Sequence, residues 1–260
     1  MKRFNHPNIV RFRDVLTSKN SLYIITEFCS GGDLREIIKR KRFKEDEAFE
    51  VVRQILSGFT QLVQEKIIHR DLKPANILVK DGIYKIADFG FAKYVDNFGT
   101  QMLKSCVGSP IYMAPQILEK TAYTTKCDIW SIGVIFYEML FGYPPWKARD
   151  EAELLRALRM MPIHQLLRRE TALSARSADF MKRCLAYHED DRANWNELFD
   201  LYLTKERLNT PIMPGLQNVF DESPTKPGEN SGRGRYVTVT TPIGGGTASG
   251  PRVNNLQPLY

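Results

Sequence analysis

The chain has 260 residues, 43% hydrophobic and 11% aromatic, an ordinary composition for one or two globular domains. Its formal charge of +7 is scattered, apart from Lys39-Arg40-Lys41-Arg42, and no aromatics interleave with that cluster, which argues against a nucleic-acid surface. The four cysteines lie far apart with no C-x-x-C pair, and no signal peptide or span-length apolar run is present, so a cytoplasmic protein with reduced thiols is expected.

In chain order, "NIVRFRDVL" and "SLYIITEF" are β-rich runs separated by the polar "TSKNS" and predict a hairpin. The glycine pair of "CSGGDL" ends the second run, and Asp33 then caps a short helix through Lys41. From Glu45 to Lys66 the period is helical. Ala48, Val51, Val52, Ile55, Phe59, Leu62 and Val63 form one apolar face. "IIHRDLKPANILV" sets polar residues between two apolar clamps, and "DGIYKIAD" alternates like a short hairpin. Residues from Asp88 to Gln116 read as loop, rich in Gly, Ser, Asn and Pro.

A second helix is predicted from about Thr125 to Phe141. Its apolar residues go nearly all the way round, which places it at the centre of a domain. Amphipathic helices follow at Glu151 to Met160, Ser174 to Leu185 and Trp195 to Leu203. After about Asn209 the composition shifts to Gly, Pro, Ser and Thr with little to bury, and a disordered tail is expected.

The stretch "HRDLKPAN" carries chemistry. Asp71 is followed by Lys73 and Asn76, with Pro74 stiffening the loop between them, and Asp88 comes twelve residues past Asn76 in "ADFG". Asn76 and Asp88 supply hard oxygens suited to Mg²⁺, which binds few protein groups and relies on phosphate for the rest. Lys73 can offset charge on a transferring phosphoryl group. Asp71 can orient a hydroxyl and take its proton.

These residues resemble the eukaryotic protein kinases. The resemblance rests on His69-Arg70-Asp71 with Asn76, on Asp88-Phe89-Gly90, on Gly108-Ser109-Pro110 through Ala114-Pro115-Gln116, and on Asp128 opening the buried helix. It covers about residues 1 to 204. It implies an α+β, protein-kinase-like fold with a mostly helical C-terminal lobe and a truncated antiparallel N-lobe sheet. Residues 1–30 would be the remnant of the N-lobe and hinge, 31–204 the C-lobe, and 205–260 the tail.

The resemblance also implies roles. Asp71 matches the catalytic base, Asp88 and Asn76 the Mg²⁺ ligands, and Lys73 the lysine that marks serine/threonine kinases. Phe89 and Gly90 complete the structural motif of Asp88. ATP would meet the hinge at Glu27, Phe28 and Cys29, with Thr26 as gatekeeper, Asp33 nearby and Leu78 under the adenine. Arg70 beside Asp71 implies activation by phosphorylation, for which Ser105 is the expected site. Ala75 stands where kinases demanding a substrate arginine carry glutamate. Phe91 resembles the residue that favours serine acceptors. The expected partners are therefore protein substrates with serine preferred, together with regulatory partners reached through the tail. "DFGFA" and "GSPIYMAP" look most like the autophagy-initiating kinases.

Two departures stand out. Gln116 replaces a glutamate that would pair with Arg192. A buried arginine stripped of that charge costs about 3–5 kcal/mol unless Asp190, Asp191 or Glu197 compensates. The glycine-rich loop and phosphate-gripping lysine that precede the match to His6-Pro7-Asn8 in the family are not among these 260 residues. Two readings follow: a fragment of an active kinase with weak ATP binding and little transfer on its own, or a pseudokinase or binding module.

Overall fold

The protein is described from a computed structural model, which covers residues 4–168 and 173–203. The expected tail at 205–260 lies outside the described residues.

Strands β1 (Phe12–Thr17) and β2 (Leu22–Thr26) pair antiparallel, as the two β-rich runs predict. No third strand joins them among the described residues, and Leu16, Leu22, Tyr23 and Ile25 stay exposed on the hairpin. The segment before β1 is tied elsewhere. Phe4, Ile9 and Val10 are buried, Ile86 N–H donates to the Asn8 carbonyl, and Val10 N–H donates to the Ile86 carbonyl, both at 2.9 Å.

Helix α1 (Leu34–Arg40) begins where the Asp33 carboxylate accepts the Glu36 N–H at 3.0 Å, the predicted cap. Helix α2 (Glu45–Gln64) opens with three acidic residues, which complement the positive end of the helix dipole. Its predicted apolar face is buried along its whole length. A two-residue strand β3 (Ile67–Ile68) follows, and then β4 (Ile77–Lys80) and β5 (Ile83–Ile86) form the expected antiparallel hairpin. Its turn, Asp81-Gly82, holds φ of 52° and 77°, the left-handed pair that lets a two-residue turn follow the twist of the strands.

The stretch from Asp88 to Gln116 is less irregular than its composition suggests. It holds β6 (Lys93–Tyr94), which pairs with β3, a 3₁₀ turn at Pro110–Tyr112, and the start of α3 (Pro115–Leu118). Each is too short for periodicity to register. Helix α4 (Lys126–Phe141) is buried on every side from Cys127 to Met139, as its composition requires. Helices α5 (Glu151–Met160), α7 (Ala175–Cys184) and α8 (Trp195–Tyr202) fall on the amphipathic segments, and the short α6 (Ile163–Leu167) had no sequence signal.

The core is built around α4, which packs against α2 and α7. Phe49 of α2, Phe136 of α4 and Phe180 of α7 meet with ring centroids 4.7 to 5.6 Å apart. The result is a small antiparallel sheet beside a helical body, and the loops that follow β3, β5 and β6 converge on the N-terminal end of α4. No helix among the described residues is long and apolar enough to cross a membrane. All four cysteines are free.

Candidate active site

The loop from His69 to Asn76 is fixed from below by one carboxylate. Asp128, 1% exposed in the first turn of α4, accepts the backbone N–H groups of His69 and Arg70, each at 2.8 Å. Burial raises its carboxyl pKa, while nearby His69 and Arg70 and those two hydrogen bonds act in the other direction. Arg70 adopts a left-handed φ of 67°, uncommon for a side-chain-bearing residue, and the bond to Asp128 helps to hold that strained turn. The His69 ring is fully buried. Its Nε2 bonds the Ala87 carbonyl at 3.0 Å and its Nδ1 accepts the Asp71 N–H at 3.3 Å.

Asp71 is the centre of a closed set. Its Oδ2 accepts Lys73 Nζ at 2.8 Å and the Asn76 amide at 3.1 Å, and its Oδ1 accepts the Ser109 hydroxyl at 2.9 Å. Lys73 Nζ also bonds Ser109 Oγ at 2.7 Å. A carboxylate offers about four lone-pair sites. Three are taken, so one remains for a further donor such as an incoming hydroxyl. The side chain is only 3% exposed, and the ammonium of Lys73 balances its charge.

Asp88, two residues past β5, is exposed and left-handed at φ 58°, with Oδ1 accepting the Gly90 N–H at 3.1 Å. Phe89 turns inward, 4% exposed, with ring centroids 5.1 Å from both Phe4 and His69. The amide nitrogen of Asn76 is committed to Asp71, which leaves its oxygen as the atom available to a cation. Asn76 and Asp88 therefore present the sparse, hard-oxygen donors that Mg²⁺ takes alongside phosphate. No group of three or more His, Cys, Asp or Glu suited to a metal occurs among the described residues.

The segment after Asp88 folds back on this loop. Arg70 Nε donates to the Phe91 carbonyl at 2.7 Å and Arg70 Nη1 to the exposed Ser105 hydroxyl at 2.6 Å, so the structure brings together the two residues the sequence paired. Tyr123 supports Ser105 by donating to its carbonyl at 2.7 Å. Gly108 has φ 116°, and a Cβ there would lie 2.5 Å from the Arg70 carbonyl, so only glycine allows this approach. The Tyr112–Glu138 bond of 2.7 Å was not singled out from sequence, and Ser109 entered only as part of the Gly108-Ser109-Pro110 motif. Ser109 lies 38 residues from Asp71, and nothing local announces the contact. Burial pushes the Tyr112 hydroxyl and the Glu138 carboxyl both upward.

The sequence model of the family described as protein kinase domain matches residues 1–202. The chain belongs to the protein kinase domain family. It is similar to the serine/threonine-protein kinase atg1 of Dictyostelium discoideum, at 37% identity over 208 residues, covering 77% of this chain and 30% of that one. It is also similar to calcium-dependent protein kinase 5 of Plasmodium falciparum, at 38% identity over 197 residues, covering 74% of this chain and 34% of the relative. Calcium-dependent protein kinase 4 of the same organism is 35% identical over 228 residues, covering 84% and 42%. The kinase domain thus spans about a third of the length of the curated relatives it matches.

In this kinase domain the residues expected at the hinge line the edge between β2 and β4. Thr26 and Phe28 are exposed, Cys29 and Leu78 are partly covered, and Asp33 bridges to Leu78. Burial, and then Glu27, raise the Cys29 thiol pKa, which argues against a reactive thiolate. Glu27 has a structural engagement that the sequence did not suggest. Its carboxylate, 7% exposed, contacts Lys85 at 3.0 Å, Lys80 at 3.1 Å and the Arg11 N–H at 2.9 Å. Burial alone would raise this carboxyl. The Arg11 amide and the two lysines outweigh it and hold the pKa down at about 2.

Gln116 carries no charge but still accepts a hydrogen bond from Arg192, as its amide allows. Arg192, 2% exposed, is compensated by neither Asp190, Asp191 nor Glu197. It donates to Gln116 Oε1 at 3.0 Å and to the carbonyls of Lys126, Ala186 and Tyr187 at 3.0 to 3.4 Å. Gln116 in turn donates to the Tyr187 carbonyl at 2.6 Å, a bond a glutamate could not make. Glu197 is occupied capping α8. Burial pulls the Arg192 pKa down to about 10, with Glu189 acting against it.

Proposed function

We propose that the chain is a serine/threonine protein kinase domain that transfers the terminal phosphoryl group of ATP to protein hydroxyls. The observation that carries this reading is the Asp71 set, in which Lys73, Asn76 and Ser109 occupy three acceptor positions of one buried carboxylate. Asp71 uses its remaining acceptor position to orient the substrate hydroxyl and take its proton. Lys73, already in contact with Asp71, offsets charge at the reacting centre. Asn76 through its oxygen and Asp88 through its carboxylate hold Mg²⁺, which when bound neutralises phosphate charge. Thr26, Glu27, Phe28, Cys29, Asp33 and Leu78 receive the nucleotide base and sugar.

Phosphorylation of Ser105 replaces a neutral hydroxyl already 2.6 Å from Arg70 with a dianion, and so strengthens the contact that joins this segment to the catalytic loop. Phe91, a large residue directly after Asp88-Phe89-Gly90 that is open to solvent, resembles the position that favours serine over threonine in the family, and on that resemblance serine is the preferred acceptor. The Dictyostelium relative, a serine/threonine-protein kinase, supports serine/threonine specificity. The atg1 match supports the autophagy-initiating group, and the calcium-dependent kinases match at nearly the same identity, so the proposal stays at the broader class.

A second reading, a binding module with little transfer of its own, is favoured by the exposure of the hinge side, where Phe28 is 83% exposed. Transfer of labelled phosphate from Mg·ATP to serine and threonine peptides separates the two. The kinase reading expects a rate that falls about 10²–10⁴-fold in Asp71→Asn while the fold is retained. Nucleotide binding without Asp71-dependent transfer would favour the module.

A further inference from the structure

A cavity of about 570 Å³ lies away from Asp71, between α4, α5, α6 and α7. That volume suits a drug-sized ligand or a few side chains. It shares no residue with the Asp71 set. Among its lining residues Trp130 and Trp146, stacked with ring centroids 5.5 Å apart, and Leu158, Ile163 and Leu185 are buried, while Pro162 and Tyr187 are partly exposed.

The charged groups around it are uneven. Arg159 is held by Glu119 at 2.6 Å, whereas Lys182 makes no ion pair among the described residues. His164 and His188 are exposed beside it, and Asp191 is the one carboxylate in the lining among the described residues. The site therefore asks for an aromatic or aliphatic anchor followed by negative charge.

The chain carries such a segment. In Val219-Phe220-Asp221-Glu222 the only phenylalanine after residue 203 stands directly before two adjacent carboxylates. The tether is suitable as well. At the end of α8, Tyr202 packs on Phe180 of α7 with centroids 5.1 Å apart, so the chain leaves the described fold against the helix that also carries Lys182. The chain from Leu203 to Val219 can extend to about 50 Å, far more than the length of α7. We propose that Val219–Glu222 docks in this cavity in cis, with Phe220 against Pro162 and Tyr187 and with Asp221 and Glu222 facing Lys182 and the two histidines.

The test uses the full 260-residue chain with a photoreactive benzoyl-phenylalanine at position 220. Irradiation is expected to yield intramolecular crosslinks to residues 146–164 or 182–188. Hydrogen exchange of α5 and α6 is expected to be slower by about tenfold than in Phe220→Ala, as an intramolecular ligand at millimolar effective concentration allows. Lys182 is exposed, so Lys182→Glu leaves the fold intact. It should lower the crosslink yield, and adding Asp221→Lys with Glu222→Lys should restore it. Crosslinks to a second copy, crosslinks elsewhere in the chain, none at all, or a yield indifferent to the charge reversal would each overturn the proposal.

Discussion

Asp128 holds two backbone N–H groups of the loop above it from inside the core, whereas the β1–β2 hairpin leaves Leu16, Leu22, Tyr23 and Ile25 facing outward with one buried ionic anchor, Glu27. The difference shows where the sequence spends its constraints. The loop from His69 to Asn76 sits on a helix buried on all sides, and its left-handed turn at Arg70 is held by bonds to Asp128, Phe91 and Ser105. The hairpin is joined to the rest mainly through Arg11, Glu27, Lys80 and Lys85. Substitutions in the first region should be expensive and should disturb the site. Those in the second should be cheap, except at Glu27.

Asp128→Ala tests the comparison most severely. It strands the His69 and Arg70 N–H groups in the core and releases the strained turn between them. The expected loss is about 3–5 kcal/mol of unfolding free energy, read by urea denaturation. A loss below 1 kcal/mol would mean that the loop does not depend on α4.

Gly108→Ala follows. The added methyl would meet the Arg70 carbonyl at 2.5 Å, in a backbone conformation that alanine disfavours. About 2–4 kcal/mol is expected from strain and overpacking together. The segment must also move away from Asp71, so the Ser109 contact should loosen and peptide phosphorylation should drop more than stability does. Equal effects on both would argue that Gly108 serves packing alone.

How far the sequence anticipated this division depends on length and on distance along the chain. Helices α2, α5, α7 and α8 were legible because each repeats its apolar period at least twice, α4 because a largely apolar run of 16 residues is too long for a strand, and Asp33 announced α1 as a cap. Strands β3 and β6 and helices α3 and α6 run from two to five residues, and no period fits in that span. In the site, Asp71, Asn76 and Asp88 were legible from their motifs. The closure of Ser109 onto Asp71 and the seating of the loop on Asp128 were not, since the partners stand 38 and 58 residues apart. The support of Arg192 by three carbonyls could not be read at all, because backbone acceptors leave no mark in a sequence.

Glu27→Gln probes the exception in the hairpin. The native carboxyl titrates near 2, below its unfolded value of about 4.3, so its ionised form stabilises the fold fully above that unfolded value. Discounted for solvent screening, the substitution should cost about 1–2 kcal/mol at neutral pH. The gap between native and variant should then narrow as the pH falls from about 4.3 toward 2. A gap that stayed constant over that window would show that the lysines at β4 and β5 do not act through the charge of Glu27.

Tyr23→Ser should have the smallest effect. Tyr23 is 56% exposed on β2, opposite Leu16 in the hairpin register, and its ring covers little that would otherwise meet water. Exposed positions of this kind shift stability by about 0.5 kcal/mol or less, plus the modest β preference lost with an aromatic residue. The same substitution at a covered strand face would remove a buried ring and cost several times more. Thermal denaturation of Tyr23→Ser at several protein concentrations therefore reads the state of that face directly. A melting temperature within about 2 °C of the native chain, independent of concentration, is the result for an open hairpin. A larger drop that deepens on dilution would show that the outward face of β1–β2 is covered by another copy of the chain in solution.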